Sequence, residues 1–279
     1  MERVISSGSP GSARGWSLAQ TVTAAWVRCL MRMMMNEEIR TLDLFSGIGG
    51  IALGLHRAGP FKTECFVEND PFCQRVLRHH WPDTRIHDDV CTLDTGTLGK
   101  IDLIAGGFPC QDISFAGGGE GLEGDRSGLW REFHRIISEL RPRFVIVENV
   151  SALLYRGLGE VLGDLASLRY DAEWHCIPAS YVGGTHIRDR VFIISYAHGT
   201  GLQGKPLVSF PARDGERSKQ QLTRLLEDQR QLAIPTRSGG GIHDGVSRRM
   251  DKLRGLGNSV YVPVITAIGQ AILESERQP

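Results

Sequence analysis

The sequence predicts an α/β fold, a doubly wound sheet interrupted late in the chain by a small inserted region. Short apolar runs alternate with helical patterns from Arg40 onward, which is the signature of strands joined by crossover helices. Several runs end in Gly, Asp, Glu or Asn, where an open α/β sheet collects its ligands. The alternation then dissolves between Ala197 and about Gly241 and resumes near the end of the chain.

In order, TLDLF reads as the first strand and IALGLHRAG as an amphipathic helix. ECFVEND is the next strand and PFCQRVLRHH its helix, followed by the strand IDLIAGG. SGLWREFHRIISEL is helical and stops before the Arg-Pro pair, because a residue preceding proline is pushed out of the helical region. RFVIVENV is a further strand, AEWHCIPA and RVFIISYA form a strand pair, and LGNSVYVPVITAIGQAILES supplies an apolar helix to cover the sheet. Within the irregular region one helix is expected near Lys219 to Gln229.

This divides the chain into a disordered extension over 1–38, an α/β domain over 39–196, a small region over 197–249 and a returning segment over 250–279. The extension carries Ser, Gly and Arg with Met31, Met33, Met34 and Met35, and has no periodicity. One of the last three methionines is a candidate for the true start, which an intact mass would decide. Arg28 and Arg32 interrupt the apolar stretch from Trp16 to Met35, arguing against a secretory leader, and no run of about 18 uncharged apolar residues suggests a membrane span.

The six cysteines (Cys29, Cys65, Cys73, Cys91, Cys110 and Cys176) form no CxxC pair, which argues against a zinc site and a disulfide framework and fits a reducing cytoplasm. Formal net charge is zero, yet eleven Lys and Arg face six Asp and Glu between His198 and Arg254. That local excess suits a nucleic-acid-facing segment as well as an ordinary solvated surface.

Two segments carry chemistry. Asp43-Leu-Phe-Ser-Gly-Ile-Gly-Gly50 runs from a strand into a helix, with Gly47 and Gly49 allowing close backbone approach to a ligand. Glu68 ends the next strand about 20 residues on, where a carboxylate can accept from ribose hydroxyls. Gly106-Gly-Phe-Pro-Cys-Gln-Asp-Ile-Ser114 follows a strand and precedes a glycine-rich stretch; Pro109 fixes the chain just before Cys110. A lone loop cysteine is more often inert than nucleophilic.

Taken together, these segments resemble the DNA cytosine-5 methyltransferase family. DLFSGIGG is similar to its cofactor loop, GGFPCQDIS to its catalytic loop, Glu148-Asn-Val150 to its catalytic-glutamate motif and Leu256-Gly-Asn-Ser-Val260 to its C-terminal cofactor motif, all in the family's order. The resemblance implies a Rossmann-like, S-adenosyl-L-methionine-dependent methyltransferase that methylates C5 of a cytosine flipped out of double-stranded DNA. Cys110 would add to C6 of the base, and Glu148, protonated at some stage in a water-poor pocket, would hold N3 and the exocyclic amine.

Gly183-Gly-Thr-His-Ile-Arg-Asp-Arg190 resembles the family's Gln-x-Arg-x-Arg motif, with His186 in place of Gln. Arg190 would contact the cytosine O2, and Arg188 the catalytic loop or thiolate. For the cofactor the resemblance implies Asp43, Phe45 against adenine, Gly47 and Gly49 near the amino-acid moiety, Glu68 on the ribose and Asp89 on the adenine amine, with Asp88 as its alternative. Pro109 and Asn258 complete that pocket. Gln111 and Ser114 are candidates for bracing the space left by the base.

Sequence specificity is expected in the small inserted region, through side chains such as Arg213, Arg217, Lys219, Arg224, Arg248 and Arg249. The expected protein is a cytoplasmic monomer without metal, of bacterial or phage type, with or without a restriction endonuclease encoded nearby. An RNA-modifying relative and a catalytically silent DNA-binding protein are the alternatives. The former would be expected to carry a Cys-Phe-Thr tripeptide, and no cysteine lies beyond Cys176.

Overall fold

A computed structural model describes residues 38–109, 128–178, 189–198 and 260–277 of the chain. All of the expected extension but residue 38, all of the small inserted region but residues 197–198, and with it the expected helix near Lys219, lie outside these residues, as do Cys110, Gln111, Ser114, Arg188 and Asn258.

The described residues fold as β1 (Ile39–Leu44), α1 (Gly50–Ala58), β2 (Phe61–Val67), α2 (Pro71–His80), β3 (Arg85–His87), β4 (Leu103–Gly106), α3 (Leu129–Leu140), β5 (Phe144–Val150), α4 (Leu153–Arg156), α5 (Leu158–Ser167), β6 (Tyr170–Pro178), β7 (Asp189–Ala197) and α6 (Val262–Arg277). The strands form one sheet in the order β3-β2-β1-β4-β5-β7-β6. The first five are mutually parallel, whereas β7 runs antiparallel to both β5 and β6. The doubly wound expectation holds, with a reversal that the sequence reading did not foresee.

Central strands are apolar on both faces, as a sheet covered on both sides requires. One face, from Leu42, Leu44, Val145, Val147, Val191 and Ile193, packs against α3 and α5 through Trp130, Phe133, Ile137, Val161 and Leu165. The other, from Leu103, Ala105, Phe144, Ile146, Phe192 and Ile194, meets α1 and α6 through Ile51, Leu55, Ile265 and Ile268.

Two of these features position the site. α2 starts at Pro71, and the Asp70 carboxylate accepts from the Phe72 and Cys73 amides at 2.7 and 3.1 Å, a side-chain N-cap that fixes the chain just beyond β2. α6 returns the chain to the first loop: a Cβ on Gly50 would lie 2.9 Å from Val260, and one on Gly54 would lie 2.6 Å from Ile265. The Thr266 hydroxyl donates to the Gly54 carbonyl across this seam at 3.1 Å.

Candidate active site

The carboxyl ends of β1, β2, β4 and β5 and the amino end of β7 meet at one rim of the sheet, which follows from their parallel and antiparallel pairings. β1 delivers the loop from Asp43 to Gly49. Ser46 stitches it to β2: its amide donates to the Val67 carbonyl at 3.1 Å and its hydroxyl to the Asp43 carbonyl at 2.7 Å. Phe45 adopts φ 54°, a left-handed conformation that is costly for an aromatic residue and that turns its side chain out of the strand's alternation. Gly47 and Gly49 also have positive φ. A Cβ on Gly47 would meet nothing within 4 Å, so space is open over this part of the loop.

Glu68 braces the loop from the neighbouring strand. One of its oxygens accepts from the Gly47 amide and the other from the Asp70 amide, each at 2.7 Å. Burial pushes its carboxyl above the usual range, opposed by these backbone hydrogen bonds. Asp43 is fully buried beside it, and burial pushes that carboxyl well up, with the Glu68 charge adding to the effect. The Ala52 amide draws it back down, and neither Asp43 oxygen has a hydrogen-bond partner among the described residues. Two adjacent buried carboxyl groups beside open space match a ligand that brings positive charge and hydroxyl donors, as S-adenosyl-L-methionine does.

Asp89 sits exposed beyond β3, where one oxygen caps the Val90–Thr92 turn by accepting from the Cys91 amide at 2.9 Å. Asp88 is exposed beside it.

The second half of the site lies between β4, β5 and β7. Glu148 is opposite Phe192 and Arg190 is opposite Val150, so Glu148 and Arg190 are diagonal neighbours on one face of an antiparallel pair. They form an ion pair, Arg190 Nε to Glu148 Oε1 at 2.8 Å, with side chains 20% and 13% exposed. Arg190, expected on the base, is thus placed on the glutamate. Glu148 in turn leans over the turn that follows β4: a Cβ on Gly107 would lie 2.7 Å from its Oε2. Pro109 ends that turn and is exposed, and Cys110 is the next residue.

Two contributions escaped the sequence reading. Asn149 is buried, and its side-chain amide donates to the Phe108 carbonyl at 3.3 Å, tying the Glu148 strand to the turn before Cys110. Asp70 fixes α2 while its amide holds Glu68. The Glu-Asn-Val and Glu-Asn-Asp patterns contained both residues, but an Asn or Asp after a strand reads equally as an ordinary turn former.

Among the described cysteines, burial pushes Cys65 up to about 11, and Cys91 and Cys176 are also raised. Such thiols are poor nucleophiles at neutral pH. No group of three His, Cys, Asp or Glu able to hold a metal ion occurs among the described residues, and none of the described helices is long and apolar enough to cross a membrane.

This sheet order, with its reversed β7 and a glycine loop after β1, is a Rossmann-like fold shared with methyltransferases. Solved structures agree: the Schizosaccharomyces pombe Dnmt2 methyltransferase superposes with a TM-score of 0.61 at 15% identity, covering 85% of this chain and 99% of that one. The Entamoeba histolytica methyltransferase EhMeth gives 0.61 at 12% identity, over 86% and 98%. At such identities the likeness is one of fold.

Residues 39–239 match the family described as C-5 cytosine-specific DNA methylase, and the chain belongs to that family, whose cofactor is S-adenosyl-L-methionine. It is 38% identical over 165 residues to the Type II methyltransferase M2.BsuMI of Bacillus subtilis, a match covering 56% of this chain and 42% of that protein. It is 33% identical over 187 residues to M.AquIA of Picosynechococcus, covering 60% and 75%. The chain therefore spans less than half of the first relative and three quarters of the second.

Proposed function

We propose that the protein is a DNA cytosine-5 methyltransferase that transfers a methyl group from S-adenosyl-L-methionine to a cytosine held outside the double helix, within a restriction-modification or phage modification setting. The observation that carries this is the convergence of the Glu148–Arg190 pair on the turn that immediately precedes Cys110.

The donor supplies a methyl group activated by a sulfonium. In this reading Asp43, Phe45, Gly47, Gly49, Glu68, Asp89, Pro109 and Asn258 are the residues that would hold it. Glu68 keeps lone pairs for ribose hydroxyls beyond those used by the Gly47 and Asp70 amides.

Cytosine C5 is too weak a nucleophile to take the methyl group unaided. The Cys110 thiolate forms a bond to C6, and the electron pair displaced from the C5–C6 double bond makes C5 nucleophilic. Glu148 holds N3 and the exocyclic amine, so that charge arriving on the ring meets a proton. C5 would then accept the methyl group from the donor, which would keep the broken bond's electron pair as a neutral thioether. Loss of the C5 proton and of the Cys110 sulfur then restores the aromatic ring. Arg190 orients Glu148 before the base arrives, and its guanidinium also supplies donors toward the cytosine O2; Arg188 supports the thiolate.

In this reading 39–196 is the catalytic domain, 197–249 reads the DNA, and 250–279 returns to the donor loop. The enzyme acts as a cytoplasmic monomer, alongside a restriction endonuclease where one is encoded nearby. The test is incubation with tritiated S-adenosyl-L-methionine and a mixed-sequence duplex containing 5-fluorocytosine. Fluorine at C5 cannot leave as a proton, so a covalent protein–DNA adduct carrying tritium is expected. Donor binding without adduct or methyl incorporation would refute the DNA reading and make RNA the next substrate.

A further inference from the structure

Four aromatic rings run from the donor loop to the turn before Cys110. Phe45 lies 6.4 Å from Phe133, stacked at 28°; Phe133 lies 5.6 Å from Trp130; and Trp130 lies 5.5 Å from Phe108. Three of the four are almost completely buried, Phe133 at 0%, Trp130 at 1% and Phe108 at 2% exposure. Trp130 holds the middle of the row and is itself held: its indole N–H donates to Asp164 Oδ2 on α5 at 2.8 Å. The Phe108 backbone is held through its carbonyl, which accepts from the Asn149 side-chain amide.

We infer that Trp130 is a positioning residue, which sets the Phe108–Pro109 turn that leads into Cys110 relative to the loop that carries Phe45. The inference rests on the proposed methyl transfer. Its physical basis is that close-packed rings transmit displacement: Trp130 cannot shift without releasing Phe108 on one side and Phe133 on the other. Transfer requires the sulfur, the base and the methyl carbon to be aligned, and misplacement by about 1 Å costs on the order of a hundredfold in rate. Phe133 is also held within the larger buried cluster of α3 and the sheet, so the Phe45 end of the row is expected to move less than the turn at the Phe108 end.

The experiment measures three quantities on the full chain: the rate of adduct formation with 5-fluorocytosine DNA, donor affinity by calorimetry, and the thermal midpoint. Trp130→Leu is expected to slow adduct formation about tenfold or more while donor affinity stays within about twofold, with Trp130→Phe in between. Asp164→Ala, which removes the indole's acceptor, is expected to slow it about three- to fivefold, and Asp164→Asn, which keeps an acceptor oxygen, to restore the wild-type rate.

A folded Trp130→Leu protein that forms adduct at the wild-type rate would overturn the proposal, and so would an equal loss of donor affinity and rate, which marks a general structural role. Should Trp130→Leu fail to fold, equal rates for Asp164→Ala and Asp164→Asn overturn it instead. Absence of adduct in the wild type overturns the methyl-transfer reading itself, a result separable from every variant comparison.

Discussion

Gly107→Ala is expected to disable the enzyme without disturbing its fold. Gly107 does not lie in the left-handed region, so alanine can take its backbone conformation. The added methyl carbon would sit 2.7 Å from Glu148 Oε2 and 3.3 Å from the Glu148 carbonyl oxygen. The carbonyl belongs to a central strand and cannot retreat, so the carboxylate must swing away and give up its 2.8 Å contact with Arg190 Nε. A largely buried, charge-assisted hydrogen bond is worth about 1.5–3 kcal/mol. At about 1.4 kcal/mol per factor of ten, its loss lowers the single-turnover methylation rate by about 10- to 100-fold. Rapid-quench methylation at saturating donor measures this, with donor affinity and thermal midpoint recorded alongside. A variant within about twofold of wild type would show that Glu148 need not stay where the structure puts it.

Cys110→Ser is expected to abolish both turnover and the 5-fluorocytosine adduct while donor affinity is retained; persistent methylation would sink the thiolate mechanism. Asp43→Asn tests the buried carboxyl. Because burial raises Asp43 above its ordinary 3.8, the folded chain holds that proton to higher pH than the unfolded chain, and folding becomes less favourable as pH rises through the window above 3.8. The thermal midpoint of Asp43→Asn relative to wild type should therefore climb as pH rises above 3.8, even as its donor affinity weakens; a flat difference would contradict the assignment. Gly54→Val places a side chain where Ile265 and the Val262 carbonyl already stand, at 2.6 and 3.0 Å, and is expected to lower stability by about 1–3 kcal/mol in denaturant titration.

The elements legible in the sequence were those whose signal is local. The central strands announce themselves by apolar runs, and β1, β2 and β4 by the chemistry at their ends. Three features were not legible. β3 has three residues, all at least partly exposed, and is a strand only because it pairs with Cys65 to Val67. The chain from Leu153 to Ser167 went unread as helix because Gly157 breaks it into a single turn and a longer piece. The reversal of β7 is a matter of long-range pairing, which no periodicity records. It matters most for the site, since only an antiparallel neighbour brings Arg190 diagonally beside Glu148. The motifs single out both residues and assign Arg190 to the base, because a motif lists side chains without saying which touch each other before the substrate arrives.

The seam between α1 and α6 has a meaning for how the protein is made. Gly50 and Gly54 lie on the first helix to leave the ribosome after β1; Ile265 and Thr266, which press against Gly54, lie on the last described helix, and Val260, which presses against Gly50, lies just before it. More than two hundred residues are synthesised while Ile51 and Leu55 await the side chains that bury them. Throughout that interval the nascent chain carries a half-built donor loop and an uncovered apolar sheet face, a state that favours chaperone capture and aggregation over premature ligand binding.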